Sequence, residues 1–453
     1  MKTKLYLSLL PIVTSLALPG VAQGETLKEA MAKAYLNNPT LLAERASLRA
    51  VDETINQAKA GWRPSVAATG NYGYRNTKSQ QTFSTSGDTN PRSLGLEVRQ
   101  SVFSSMKTVN GTSEARNQVK AAREQLTSVE QQVLLDSVTA YMNVLTDMSV
   151  LQLTQNNVAV LQRQLEASED RFRVGEITRT DVAQSKARLS RAVSEEIRAE
   201  AALSASRAAY RKTVGGMPAN LKIPEGLPAM PASEEAALAF AMENNPQLLG
   251  ARYTEKAARY NVKKQYGGLG PSVDIVARYS KSWENFSTTD TSTTKEVLAQ
   301  MTMPLYQSGA VSSQIRQSRQ IENQRRLQAL SAERIVAELI RNSWEGYREA
   351  TARISASEDQ VTANDIALEG VRQEAEVGSR TTLNVLDAEQ ELLDSQVSLV
   401  RARRDQFIAA YVLLSSMGKL TADNLDLNIA TYNPEDHTDK VENKFFGWGI
   451  DKD

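Results

Sequence analysis

The chain repeats itself, and no other feature limits its possible folds so strongly. Residues 171–189, RFRVGEITRTDVAQSKARL, align without a gap on residues 374–392, EAEVGSRTTLNVLDAEQEL. Val174, Gly175, Thr178, Val182 and Leu189 fall on Val377, Gly378, Thr381, Val385 and Leu392, an offset of 203 residues. Each stretch is a glycine-centred break between two helix-patterned runs, unlike a catalytic loop. The repeat extends further. NNPTLL (37–42) recurs as NNPQLL (244–249), and GWRPSV (61–66) as GLGPSV (268–273), both 207 apart. SVFSS (101–105) matches PLYQS (304–308), and Gly215 falls on Gly418, both 203 apart. The change of four residues is confined to 67–99, and length variation tolerated at one place marks an exposed loop.

Proline placement separates the elements. None lies between Pro91 and Pro218, nor between Pro304 and Pro434. Helix interiors exclude proline, so these intervals hold the long helices. GGMPANLKIPEGLPAMPA (215–232) carries four prolines and reads as the linker joining the repeats. Val144, Leu151, Val158, Leu165 and Phe172 recur every seven residues, and 203 residues later stand Tyr347, Ile354, Val361, Leu368 and Ala375. Two such seams in register favour a coiled-coil rod or helical barrel. A helix from about Ser104 to Phe172 would span ~100 Å, and helices over 25–60 and 181–214 ~50 Å each. Two short helices end to end therefore match one long one, with VGEITRTD and VGSRTTLN as paired hairpin tips.

Between short and long helix each repeat holds a candidate strand pair. Leu94, Leu96, Val98 and Val102 alternate with Gly95, Glu97, Arg99 and Ser101; Val297, Ala299, Met301 and Leu305 repeat the pattern. The preceding strands show Val66, Ala68, Tyr72 and Tyr74, then Val273, Ile275, Ala277 and Tyr279. Alternation over about ten residues is the pattern of a membrane β-strand, although a half-buried soluble sheet looks similar. The leader described next and the polar loops between the strands favour the membrane. Trp62 and Trp283 fall at opposite strand ends, as interfacial aromatics do. Four strands cannot close a barrel, and open edges are not tolerated in lipid. Two copies would give eight strands with a filled interior; three give twelve and a watery one, which polar inward faces favour.

Lys2 and Lys4 precede the apolar run LYLSLLPIVTSLAL, and AQG at 22–24 offers a cleavage site. Residues 1–24 read as a secretory signal peptide. No later apolar run reaches the ~18–20 residues of a membrane helix. Cysteine is absent, so neither a lipoprotein anchor nor thiol chemistry is available. A single histidine, His437, gives a histidine triad no footing, and it reads as simply exposed. Net charge is zero, so nothing argues for nucleic acid. No metal, cofactor or catalytic constellation is expected.

On these features the chain resembles the TolC family of outer-membrane efflux and secretion channels. The duplication, NNP, the SVF and PLY strand ends, and the paired tips RFRVGEITRTDV and EVGSRTTLNVLDA carry the likeness over essentially the full mature length. Absence of a lipoprotein cysteine resembles its non-acylated branch. The resemblance implies a homotrimer with a twelve-stranded barrel in the outer membrane of a Gram-negative bacterium and a helical tunnel across the periplasm. It implies docking with a periplasmic membrane-fusion adaptor and an inner-membrane efflux or ABC transporter. Val174, Gly175, Val377 and Gly378 would be the adaptor-docking tips. The family's aspartate ring falls on Asp387, with Asn384 at the partner position one turn earlier. Its cross-hairpin charge pair falls on Asp181 and Arg380, next to Thr180. Its locking tyrosine falls on Ala375, which implies a weaker latch. Solvated turn charges are the alternative for these residues.

The expected fold is mainly α with a membrane β-barrel: long coiled-coil helices in a duplicated repeat, plus four strands per chain. The expected organisation runs from signal peptide to first repeat at 25–215, with strands about 65–103 and tip 173–181. A linker at 216–232 leads to the second repeat at 233–418, with strands about 272–305 and tip 376–384. The tail, 419–453, either packs around the tube's middle or stays disordered. The expected function is a passive exit duct for drugs or secreted proteins. A periplasmic coiled-coil scaffold that never enters the membrane is the alternative, and an independent porin is disfavoured by the helical majority.

Overall fold

The computed structural model describes residues 24–78 and 87–449. All of the leader except Gly24 lies outside them. The first repeat runs through α1 (Leu27–Asn37), α2 (Pro39–Lys59), a 3-10 turn (Ala60–Trp62), β1 (Ser65–Tyr72), β2 (Arg75–Thr77), β3 (Gly87–Thr89), β4 (Arg92–Phe103), α3 (Lys107–Arg173) and α4 (Arg179–Val214). The second runs through α5 (Glu234–Asn244), α6 (Pro246–Tyr266), a 3-10 turn (Gly267–Leu269), β5 (Ser272–Trp283), β6 (Thr291–Thr302), α7 (Ala310–Glu376) and α8 (Thr382–Met417), and a short α9 (Asp436–Val441) follows. In both repeats the four helices are 11, 21, 67 and 36 residues long.

The single helix expected over 25–60 is broken at Asn38. Pro39 lacks an amide to donate and disfavours helical geometry in the residue before it, and Asn38 is extended at φ −69°, ψ 120°. Asn245 before Pro246 does the same at φ −68°, ψ 121°. Each asparagine then caps the next helix and donates its amide to the end of the 36-residue helix, Asn38 to the Thr213 carbonyl at 2.9 Å and Asn245 to that of Ser416 at 2.8 Å. Thus α2 is spliced onto α4, and α6 onto α8. Helices of 36 and 21 residues end to end span roughly 85 Å, beside roughly 100 Å for the 67-residue helix.

Packing follows from this pairing. Near the sheet α3 meets α2 through Ile55, Ala115 and Val119, and α6 through the Asn261–Glu114 hydrogen bond. Toward the tip it meets α4 and α8, where Leu161, Ala192 and Leu386 form one cluster. The anticipated heptad side chains are mostly sheltered, Val144 and Leu368 fully so, whereas Phe172 is exposed. A second seam was not anticipated. Ser185, Ala192, Ala199 and Ser206 on α4, and Ser343, Ala350 and Ser357 on α7, are buried at the same spacing of seven. Small side chains there let helix backbones approach closely.

The largest core lies at mid-height. Met31 and Tyr35 of α1, Leu134 and Tyr141 of α3, Tyr210 of α4 and Leu420 of the tail pack together. The tail continues along α2. Arg45 stacks on the rings of Tyr35 and Tyr432, and Glu130 accepts from the Ala422 amide at 2.7 Å. His437 is not simply exposed: its Nδ1 lies 3.2 Å from Oδ2 of Asp52, which is fully buried. Lys59 and Arg116 both hold Glu442, which draws the tail up to the base of the sheet.

The main sheet is antiparallel in the order β1-β4-β5-β6. Its register aligns Val66 with Val98, Leu96 with Tyr279, and Ala277 with both Val98 and Val297. Directly opposed residues share a face, so one face collects Val66, Ala68, Leu96, Val98, Ile275, Ala277, Val297 and Met301. The other collects Thr69, Asn71, Glu97, Arg278, Glu296 and Gln300. The polar loop of the first repeat contains an additional small hairpin, β2 with β3, on which apolar alternation gives no hint.

Candidate functional site

Both tips end their long helix the same way. In the first, the Gly175 amide donates to the Phe172 carbonyl at 3.0 Å and that of Glu176 to Arg171 at 2.9 Å. In the second, Gly378 donates to Ala375 at 3.2 Å and Ser379 to Glu374 at 2.9 Å. This reciprocal pair is a Schellman ending, whose C′ residue must be left-handed. Gly175 and Gly378 supply it at φ +83° and +78°. Val174 and Val377, one residue earlier, are 72% and 81% exposed. An isolated valine of this kind is held outward by backbone geometry alone, so the tip offers an apolar-glycine knuckle to solvent.

The next helix starts with a capping box in each copy. Thr178 caps α4, its amide and hydroxyl donating to Asp181 Oδ2 at 2.9 and 2.8 Å. Those bonds, the amide's first, hold the Asp181 carboxyl below the usual aspartate range. Thr381 caps α8 in the same way, its amide and hydroxyl donating to Asn384 Oδ1 at 3.1 and 2.7 Å. Asp181 and Asn384 are therefore equivalent cap residues. Thr180 is exposed beside them on the first turn of α4.

Within one chain the expected Asp181–Arg380 pair does not form. Asp181 is engaged by its own cap, and Arg380 Nε donates to Glu374 Oε2 at 2.7 Å across its own turn. The cross-hairpin tie is instead made by Arg188 of α4 to Asp387 of α8. Leu386, next to Asp387, is buried against Leu161 and Ala192, which fixes the helix that presents the carboxylate. Arg188 was missed because its counterpart under the 203-residue offset is Glu391, so the internal repeat does not flag it. Ala375 lines a groove of about 480 Å³ between the hairpins, together with Arg163, Arg171, Arg372 and Glu389. No side chain at 375 reaches across it.

Trp62 and Trp283 lie at opposite ends of the sheet. Trp62 ends the 3-10 turn beside the helices, its carbonyl accepting from Gln100 at 2.7 Å, while Trp283 closes β5 at the far end. On the polar face Arg278 bridges Glu97 at 2.8 Å and Glu296 at 3.3 Å, a three-strand ion ladder. Among the described residues no group of three or more His, Asp or Glu is placed to hold a metal ion, and no helix is long and apolar enough to cross a membrane.

Comparison with known proteins follows the duplication. The outer membrane efflux protein family matches residues 30–216 and again 238–419. The chain is 36% identical over 429 residues to the outer membrane efflux protein BepC of Brucella suis biovar 1, covering 94% of this chain and 92% of that one. It is 29% identical over 448 residues to the outer membrane protein TolC of Escherichia coli K12, covering 94% and 90%. Among solved structures, the Campylobacter jejuni CmeC outer membrane channel superposes with a TM-score of 0.78 at 11% identity, covering 92% of this chain and 89% of that one.

Proposed function

The chain belongs to the outer membrane efflux protein family, and on that premise we propose that it works as a homotrimeric, passive exit duct. It is a channel of the bacterial outer membrane with a helical periplasmic portion, and not an enzyme. One observation carries the trimer: the sheet has four strands, one apolar and one polar face, and outer edges on β1 and β6 that pair with no other strand among the described residues. An apolar face belongs in lipid, and lipid leaves no strand edge unpaired. Closing β6 of one protomer on β1 of the next satisfies both edges. Three copies give twelve strands and a lumen wide enough to hydrate the Glu97–Arg278–Glu296 ladder, whereas eight would fill. The apolar face also weighs against a periplasmic scaffold outside the membrane.

In this reading the knuckles at Val174, Gly175, Val377 and Gly378 receive a periplasmic membrane-fusion adaptor, which couples the duct to an inner-membrane efflux or ABC transporter. Cargo is chosen there. Asp387 lines the periplasmic constriction, with Thr180, Asp181, Arg380 and Asn384 around it, and Trp62 and Trp283 mark the two membrane interfaces. The lack of cysteine in the sequence supports a place in the non-acylated branch. Light scattering on the detergent-purified protein tests the assembly. A stable trimer is expected; a homogeneous monomer or dimer overturns the barrel.

A further inference from the structure

The charges of the sheet are sorted by face. The polar face carries Glu97, Arg99, Asp274, Arg278 and Glu296, mixed in sign and bridged to one another. Among the described strand residues the apolar face carries only Arg92, Lys281 and Lys295, and no acid. All three lie toward the end far from the helices. Arg92 stands opposite Trp283, Leu94 opposite Lys281, Lys281 opposite Thr293, and Tyr279 opposite Lys295. Arg92, Lys281 and Lys295 are therefore successive diagonal neighbours over three strands, about 7–8 Å apart. Lys281 lies 5.2 Å over the Trp283 ring and Lys295 5.9 Å over that of Tyr279. Arg92 is bound by Glu284, just past the strand, while neither lysine has a carboxylate partner among the described residues.

Two neighbouring lysines with no carboxylate between them repel each other, and an anion seated between them removes that repulsion. Aromatic rings beside them fix the depth at the headgroup level. We propose that Lys281 and Lys295, flanked by Arg92, bind the phosphate groups of lipopolysaccharide in the outer leaflet, with Tyr279 and Trp283 against its acyl–sugar boundary. This rests on the reading that the apolar face meets lipid. The far end of the sheet, opposite the periplasmic helices, places the patch in the outer leaflet, and the two lysines bracket a phosphate as point charges.

The purified full-length channel, its K281Q/K295Q variant and its K281R/K295R variant would be titrated with lipopolysaccharide, with lipopolysaccharide stripped of its lipid phosphates, and with phosphatidylglycerol. Bound lipid is counted by native mass spectrometry. The glutamine variant should bind lipopolysaccharide about tenfold more weakly or worse, the arginine variant should match the parent, and the stripped lipid should bind the parent no better than the variant. Equal binding by parent and glutamine variant, or phosphatidylglycerol binding as tightly as lipopolysaccharide, overturns the site. The orientation is read separately, as quenching of Trp283 fluorescence by a lipid-borne quencher, taken from the difference between parent and Trp283→Phe. Quenching together with unchanged lipopolysaccharide binding rejects the lysine site alone. No quenching rejects the lipid-facing reading and the site with it.

Discussion

The side-chain amide of Asn38 donates to the main-chain carbonyl of Thr213 at 2.9 Å, across 175 residues of chain. The same side chain accepts from the Thr40 amide, so it caps α2 and closes α4 at once. Asn245 repeats both bonds, to Ser416 and to Gln247. The motif NNP is thus a splice, with asparagine as the joint and proline as the reason the chain breaks there.

Asn38→Ala should lose the cap and leave a sheltered carbonyl unpaired, at about 1 kcal/mol each. Asn38→Asp is the sharper test. Aspartate caps as well as asparagine but has nothing to donate to Thr213, and it sets a negative charge at the C-terminal end of α4. It should destabilise by about 1 kcal/mol, the loss of the Thr213 bond without that of the cap, in thermal denaturation of the detergent-solubilised protein at neutral pH. An aspartate variant as stable as the parent would mean that the splice contributes nothing.

The Arg188–Asp387 bridge joins two helical hairpins, whereas Arg380 and Glu374 lie across a single turn. Arg188→Ser should therefore raise single-channel conductance in planar bilayers more than Arg380→Ser does. Asp387→Ala should lower cation selectivity and weaken divalent block, since one carboxylate per chain is removed from the proposed constriction. If selectivity and block are unchanged, the constriction lies away from Asp387.

At the tips the glycines are needed for backbone conformation and not for space. A Cβ added at Gly175 or Gly378 would meet nothing within 4 Å. Gly378→Asn, whose side chain tolerates the left-handed region, should keep efflux in a channel-deficient host close to normal. Gly378→Glu costs about 1 kcal/mol of local strain and projects charge into the proposed docking knuckle. It should abolish efflux while the protein still inserts, as membrane fractionation would report. Unchanged drug sensitivity would remove the tip from the docking surface.

What was legible in the sequence was what repeats or alternates. The duplication gave both tips, and period-two alternation gave the two faces of the sheet, because Leu96 and Val98 are large and apolar beside Glu97 and Arg99. The seam of Ser185, Ala192, Ala199 and Ser206 was not legible, since serine and alanine look solvated unless a partner helix is known to lie close. Arg188 with Asp387 depends on how two hairpins are rotated against each other, which no single-helix period encodes. One signal was available and unread: α2 buries Leu41, Arg45, Leu48, Asp52 and Ile55 on a single stripe. Two charged residues in such a stripe call for polar cover, and the tail brings Tyr432, His437 and Thr438.

That cover has a pH signature. Asp52 accepts from the Thr438 hydroxyl at 2.9 Å and faces His437, with Arg123 nearby. Burial is the largest influence and raises its pKa above the ordinary aspartate value, against the opposing pull of Thr438, His437 and Arg123. An acid raised in this way holds its proton more firmly folded than unfolded. Its stabilising contribution is fully present below the unfolded pKa, ~3.9, and is lost as pH rises through the folded value. Asp52→Asn remains neutral throughout. The stability of the parent minus that of Asp52→Asn should therefore fall as pH rises from about 4 through the mildly acidic range, and then level off. Melting temperatures in detergent across that range would measure it. Repeating the pair in a His437→Gln background separates burial from the imidazole: the slope should persist there, because desolvation outweighs His437. If the difference is flat in both backgrounds, burial does not govern Asp52. If it vanishes only with His437→Gln, the imidazole does.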